Sequence, residues 1–63
     1  MNVPQQNDTF VTETYVSAIT HRNLTEWAYR DANGDLYAGI AEDEQEAVQA
    51  ASTVGYAPPE KPA

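Results

Sequence analysis

The sequence contains no cysteine, so neither a disulfide nor a thiolate-bound metal can stabilise its fold. It has only three basic residues against ten acidic ones, a net charge of −7. Such a chain is repelled by nucleic-acid phosphates and by anionic membrane surfaces. No apolar run approaches the roughly 20 residues that span a bilayer, and residues 1–10 have no basic or apolar leader region. We therefore expect a cytoplasmic protein with no direct nucleic-acid partner and no membrane partner.

Large apolar side chains are also scarce, because Leu, Ile, Val and Phe together make up 10 of the 63 residues, as many as Ala alone. A chain of this length buries only about 60 % of the surface that its unfolded form exposes. One Trp and four Tyr residues nevertheless supply large apolar area. The composition predicts one domain with a small core, shared with a partner or with a second copy.

Polar and proline-rich segments at the two ends set the domain organisation. Residues 1–8 show no apolar periodicity and contain Pro4, which indicates a disordered lead-in. Residues 57–63 contain three prolines and are typical of an extended, disordered tail. Residues 9–56 are therefore predicted to form the single domain.

The first folded segment, residues 10–20, is rich in β-branched and aromatic residues and is predicted to be a strand. Its alternation is imperfect, which suggests a bulge or burial on both faces. Residues 21–23 are predicted to form the turn that follows. One face of this strand would carry Phe10, Val16 and Ala18, and the other Val11, Tyr15 and Ile19.

Two more strands, residues 25–31 and 35–41, flank Asn33-Gly34, the pair best suited to a two-residue type I′ turn. That loop would place Trp27 opposite Ile40. The alternative, a type I turn with a bulge at Gly34, shifts the pairing by one residue. We favour the two-residue loop because it collects the apolar side chains on one face. That face would hold Trp27, Tyr29, Leu36, Ala38 and Ile40.

From Glu42 the apolar period becomes helical, and Gly55 is the expected end of the helix. The small apolar stripe would let the helix lie close to the sheet, and Tyr56 would pack back over the last turn. The predicted fold class is α+β, a three-stranded antiparallel β-meander with one C-terminal helix packed on it. The stripe consists of Ala47, Val48, Ala51 and Val54.

Two features of the sequence bear on metal binding and catalysis, and neither supports a site. Asp31, Asn33, Asp35 and Glu42 have the spacing of calcium ligands in a twelve-residue EF-hand loop. That loop needs glycine at its sixth position, where this chain has leucine, and a helix before it, where this chain has a strand. The one histidine of the chain lies in a polar turn. We therefore expect no metal, no cofactor and no enzymatic activity.

Acidic residues offer a better functional signal. If the helix packs as predicted, those in its first turn continue toward the hairpin tip and form one negative surface for a basic partner. The favoured register also places Tyr37 opposite Arg30, outside the core, where an exposed aromatic ring can anchor an interface. The predicted partner-binding residues are Asp35, Tyr37, Glu42, Asp43, Glu44 and Glu46.

The segments Ile40-Ala41-Glu42, Glu46-Ala47 with Ala51, and Tyr56-Ala57-Pro58, following a strand hairpin, resemble the small RNA-polymerase inhibitors of podoviruses. The same pattern occurs in HicB-type antitoxin domains. The first resemblance implies a non-enzymatic plug on host polymerase. Those inhibitors continue after the helix into an arginine-bearing strand, whereas this sequence continues into prolines, so no contact residues are carried over.

The leading hypothesis is therefore a small phage- or mobile-element-encoded protein that acts in the host cytoplasm. It would bind a larger basic host protein, such as a nucleic-acid enzyme, and inhibit or modulate it. The alternative is a structural or accessory domain that self-associates, as a homodimer through an edge strand, and uses its acidity only for solubility.

Overall fold

A computed structural model describes residues 3–58 of the chain. Strands β1 (Thr9–Val16), β2 (Asn23–Arg30) and β3 (Leu36–Ala41) form one antiparallel sheet in the order β1-β2-β3, and helix α1 (Glu44–Ser52) follows. The predicted α+β meander with a C-terminal helix is confirmed. Most of the predicted C-terminal tail, residues 59–63, and the first two residues of the predicted lead-in lie outside the described residues.

Strand β1 ends at Val16, four residues earlier than predicted. Its register with β2 runs without interruption from Thr9 opposite Arg30 to Val16 opposite Asn23, so it contains no bulge. Beyond it, the Ser17 side-chain oxygen accepts hydrogen bonds from the Ile19 and Thr20 amides, each at 3.3 Å. A serine side chain that binds nearby amides offers the backbone a turn in place of a ladder.

Faces within β1 alternate as predicted, since Phe10 and Val16 share one side and Val11 and Tyr15 the other. Ala18 and Ile19 are the exceptions. They lie in the turn rather than on a strand face, and Ile19 is 90 % exposed.

The predicted register of the β2–β3 hairpin is wrong by one residue. Trp27 lies opposite Gly39, and Tyr29 opposite Tyr37. The Asp31 amide donates to the Asp35 carbonyl and the Gly34 amide donates to the Asp31 carbonyl, both at 3.0 Å. Gly34 has φ of 90°. The loop is thus the three-residue turn with a glycine bulge that the sequence offered as the alternative.

A side chain explains why this turn is preferred. One carboxylate oxygen of Asp31 accepts hydrogen bonds from the amides of Asn33 and Asp35, each at 2.9 Å. This aspartate therefore stabilises the residues that follow it in the turn conformation, which is a recognised use of Asp at the start of a turn. The Asn33-Gly34 pair remains in the loop, but it occupies the last two of three positions.

The corrected register divides the apolar residues between two faces. Trp27, Tyr29 and Tyr37 point toward the helix, whereas Leu36 and Ile40 lie on the opposite face with exposures of 43 % and 62 %. The single buried face predicted for Trp27, Tyr29, Leu36, Ala38 and Ile40 is therefore wrong. The reason is geometric, because a one-residue shift moves every side chain of β3 to the other side of the sheet.

Helix α1 begins after Asp43, whose carboxylate accepts a hydrogen bond from the Glu46 amide at 2.8 Å. The helix therefore starts two residues later than the predicted Glu42. Ala47 and Ala51 are fully buried against β2 and β3. Their small side chains let the helix lie close to the rings of the sheet.

After the helix the chain reverses at Gly55, which has φ of 109°. Tyr56 then packs back as predicted. Its ring stacks on Phe10 with centroids 4.4 Å apart and lies 5.3 Å from the ring of Tyr29. The core is therefore a cluster of aromatic rings closed on one side by alanines.

The described part of the lead-in lies against the hairpin loop. Arg30 Nε donates to the Pro4 carbonyl at 2.8 Å, and the side-chain amide of Asn7 donates to the Ala32 carbonyl at 3.3 Å. The Asp8 amide donates to the Asp31 carbonyl at 3.2 Å. Pro4 is buried. The predicted boundary after residue 8 therefore falls within a segment that contacts the domain.

Alanine substitutions on β3 distinguish the two registers. Tyr37→Ala removes a ring that packs on the core and should lower the free energy of unfolding by about 2–3 kcal/mol. Ile40→Ala removes an exposed side chain and should cost less than about 1 kcal/mol. Urea unfolding followed by Trp27 fluorescence measures both. A larger cost for Ile40→Ala than for Tyr37→Ala would show that the two-residue loop is the correct one.

Candidate functional site: the open face of the sheet

One face of the sheet carries α1, and no helix or strand of residues 3–58 covers the other, which we call the open face. Strand alternation and the observed register decide its composition. It comprises Thr9, Val11, Glu13 and Tyr15 of β1, Leu24, Glu26, Ala28 and Arg30 of β2, and Leu36, Ala38 and Ile40 of β3.

Apolar side chains dominate the open face. Leu36 and Ile40 are exposed, and Val11, Tyr15 and Leu24 are half-buried. Scattered apolar residues are normal on a protein surface, but a contiguous apolar surface marks an interaction site. In a chain so poor in large aliphatic residues, the concentration of them here makes the open face the candidate functional site.

Two carboxylates lie within this apolar surface. Glu13 is directly opposite Glu26, and Glu26 is also directly opposite Ile40 on its other side. Like charges directly opposite each other destabilise a sheet. The arginine on this face, Arg30, donates to the carbonyls of Pro4 and Gly34, at 2.8 Å and 2.7 Å. The middle of the open face therefore carries two carboxylate side chains among apolar ones.

The single acidic surface predicted from the sequence is not present. Asp35 precedes β3, whereas Glu42 and the acidic residues of the helix start follow it. Six strand residues span about 20 Å at roughly 3.3 Å per residue. The predicted acids therefore lie at opposite ends of the sheet, Asp35 alone at one end and a larger group of four at the other, because β3 runs between them.

Two members of the larger group already have structural roles. Glu42 forms an ion pair with Arg22, which ties the end of β3 to the β1–β2 turn. Asp43 caps α1. Glu44 and Glu46 are exposed and carry the remaining charge of this end. The structure thus separates acids that stabilise the fold from acids that are available to act on a partner.

Tyr37 does not lie where the sequence placed it. Leu36, not Tyr37, is opposite Arg30, and Tyr37 is half-buried on the helix side against the core. The premise that made it an exposed anchor is wrong, for the same one-residue shift. The residues that sequence reasoning missed are Leu36 and Ile40. The signal that could have found them is Asp31, whose side chain favours the longer turn.

The four residues with calcium-ligand spacing are not brought together. Asp31 and Glu42 flank β3 at its two ends, and one oxygen of Asp31 already accepts from two amides. Among residues 3–58 no group of three or more His, Cys, Asp or Glu side chains could hold a metal ion. His21 is exposed in the β1–β2 turn.

Comparison of the chain with protein-family models, with curated proteins and with solved structures found no match. The resemblance to podoviral polymerase inhibitors therefore stays a prediction. Within the described residues, no helix has both the length and the apolar character needed to cross a membrane.

Tyr29 is a buried core residue whose surroundings shift its pKa. Burial raises the pKa of its phenol above the ordinary value of 10.0, and the negative charges of Asp8 and Asp31 raise it further. The hydroxyl donates to the Gly55 carbonyl at 3.5 Å. The neutral phenol is thus favoured in the folded protein, beside the lead-in, the hairpin loop and the end of the helix.

This shift predicts a loss of stability at alkaline pH. The contribution of Tyr29 is fully present below the pKa of the unfolded state and is lost as pH rises through the higher pKa of the folded state. Thermal unfolding from about pH 8 to about pH 11 should show a falling Tm above pH 10. Tyr29→Phe should flatten that fall, and an unchanged slope would contradict the assignment.

Proposed function

We propose that this chain is a small acidic protein-binding domain that docks on a basic surface of a larger host protein, such as a nucleic-acid enzyme, and modulates it. The observation that carries the proposal is the pair of exposed aliphatic residues on β3 of the open face, Leu36 and Ile40, with Glu26 directly opposite Ile40. Its resemblance to the podoviral inhibitors supports inhibition as the form of modulation and a phage or mobile element as its source.

Apolar side chains and charges would contribute differently to binding, because they act over different distances. Apolar side chains act only at contact, so Leu36 and Ile40 would be the anchors that slow dissociation. A partner that covers them also covers Glu26, whose charge must then be paired to avoid a desolvation cost. An Arg or Lys side chain flanked by apolar residues meets both requirements.

Charge acts at longer range. A net charge of −7 on 63 residues attracts a basic surface before contact and speeds association. Glu44 and Glu46 at one end of the sheet, and Asp35 at the other, are exposed and suited to that role. Two acidic ends with an apolar face between them fit a basic groove better than an isolated basic site.

Two isoleucines provide a matched test of the docking surface. Ile40 lies on the open face and Ile19 in the β1–β2 turn, and both are exposed, so Ile→Ser at either site should leave folding nearly unchanged. The immobilised parent and both variants are incubated with lysate of the host cell, and the retained proteins are identified. A basic protein should be retained by the parent and by Ile19→Ser, and lost with Ile40→Ser.

Salt provides the control for that capture. Raising NaCl from about 50 mM to about 500 mM should release the same protein, because the longer-range attraction is screened. The proposal is wrong if no retained protein depends on both Ile40 and salt, or if Ile19→Ser and Ile40→Ser behave alike.

Acidic substitutions test the steering role with the purified partner. Glu44→Gln with Glu46→Gln should slow association severalfold and reduce its salt dependence, while dissociation changes less. Asp43 is left intact because it caps the helix. Gln45→Glu, which adds a charge to the same turn, should speed association. Stopped-flow rates that are the same for all three proteins would show that these acids serve solubility alone.

A further inference from the structure

The outer edge of β1 is a second surface, distinct from the open face. The Ser17 amide donates to the Arg22 carbonyl at 2.9 Å, so this pair is hydrogen-bonded. Hydrogen-bonded and non-bonded pairs alternate along an antiparallel ladder. The backbone amides and carbonyls of the alternate residues therefore point away from β2. These residues are Phe10, Thr12, Thr14 and Val16, and within residues 3–58 β1 pairs with β2 alone.

This edge lacks the devices that normally prevent strand addition. Over its eight residues β1 has no proline, no lysine and no bulge, and Glu13 is its one charged residue. The other edge strand, β3, is shorter and contains Gly39. Helix α1 packs on β2 and β3, and Thr14 and Val16 are exposed on the helix side of β1. Within residues 3–58 no helix or strand lies beside the outer edge of β1, so a fourth strand can pair there.

We infer that β1 pairs with β1 of a second copy, antiparallel about a two-fold axis at Thr12, to make a continuous six-stranded sheet. The acidic residues at the two ends of the sheet lie away from the centre of this edge, and Glu13 is the one carboxylate on β1, so a partner strand needs no row of cations. Two identical strands related by a two-fold axis present matching donors and acceptors. Because the core of one copy is small, a sheet shared by two copies would bury more surface and add stability.

The register follows from the position of Glu13. An axis at Glu13 would place the two Glu13 side chains directly opposite each other, which is unfavourable. An axis at Thr14 would pair only residues 12–16. With the axis at Thr12, residues 9–15 of both copies pair, Glu13 lies opposite Val11, and the two Thr12 side chains are cross-strand neighbours. Thr–Thr pairs are favourable in antiparallel sheets.

The dimer should be weak and should respond to salt in the opposite sense to partner binding. Seven paired residues per copy are fewer than the roughly 20–30 a side of a standard interface. Each copy carries −7, so added salt reduces repulsion and strengthens self-association. Binding of a basic partner is weakened by salt, so the failure of one proposal is distinguishable from the failure of the other.

Sedimentation equilibrium over a concentration series tests the inference with two proline variants. Thr14→Pro removes an amide that points outward from β1. The control, Ala38→Pro, removes an equivalent outward amide from β3. Neither amide donates to a neighbouring strand within the sheet. The parent should form a dimer whose affinity rises with NaCl. Thr14→Pro should weaken it at least about tenfold, because the symmetry doubles each loss. Ala38→Pro should weaken it less than about twofold.

A crosslink tests the register and covers the case in which a proline variant does not fold. The chain has no cysteine, so Thr12→Cys introduces a single thiol that lies opposite itself in the dimer. Hydrogen-bonded antiparallel partners have Cα atoms about 5.5 Å apart, within reach of a disulfide. Thr12→Cys should form an intermolecular disulfide under mild oxidation, and Thr14→Cys, four residues from its own counterpart, should not.

Three results would overturn the inference. The first is a parent protein that stays monomeric at every concentration and salt level. The second is a dimer that Ala38→Pro weakens as much as Thr14→Pro does. The third is a disulfide that forms no faster with Thr12→Cys than with Thr14→Cys. A monomeric parent that instead binds a lysine-rich strand peptide at this edge would assign β1 to a partner protein.

Discussion

The contact between Trp27 and Gly39 is the constraint on which the rest of the structure depends. A Cβ atom at Gly39 would lie 3.0 Å from the Trp27 indole, closer than side chains normally approach. The ring can cover this point of β3 because the residue there has no side chain. With Trp27 opposite Gly39, Tyr29 must lie opposite Tyr37, and the aromatic rings gather on the helix side.

A core of rings and alanines explains the rest of the architecture. Ala47 and Ala51 let α1 approach the sheet closely, and Tyr56 closes the cluster by stacking on Phe10. One short helix covers only β2 and β3, so within the described residues no helix or strand covers the open face or the outer edge of β1, and the lead-in contacts the open face at Arg30. The two surfaces lie on different sides of the molecule and differ in chemistry. The open face is apolar with carboxylates, and the edge is a nearly uncharged row of backbone groups.

The acidic residues do not form the single negative surface that the composition suggests. The excess of acids is a property of the whole chain, but Glu42 pairs with Arg22 and Asp43 caps the helix. Of the remaining acids, Glu13 and Glu26 lie on the open face, and those before and after β3 are kept apart by the length of that strand. Long-range attraction to a basic surface survives that division, because it depends on net charge. A short-range contact surface needs its residues side by side, and the separated acids do not meet that need. The proposed anchors for a partner therefore lie on the open face.

The sequence by itself determined the element types, their order and the α+β class, because period, turn residues and helix signals are local properties. It also determined the acidic character and the absence of disulfides. Only the tertiary structure decided the hairpin register, since both turns suit Asn33-Gly34 and the choice rests on the Asp31 side chain and on the fit of Trp27 over Gly39. That shift of one residue packs Tyr37 against the core and leaves Leu36 and Ile40 on the surface. A candidate site defined by a shared sheet face is therefore not readable from local pattern, because the face is set by contacts between strands.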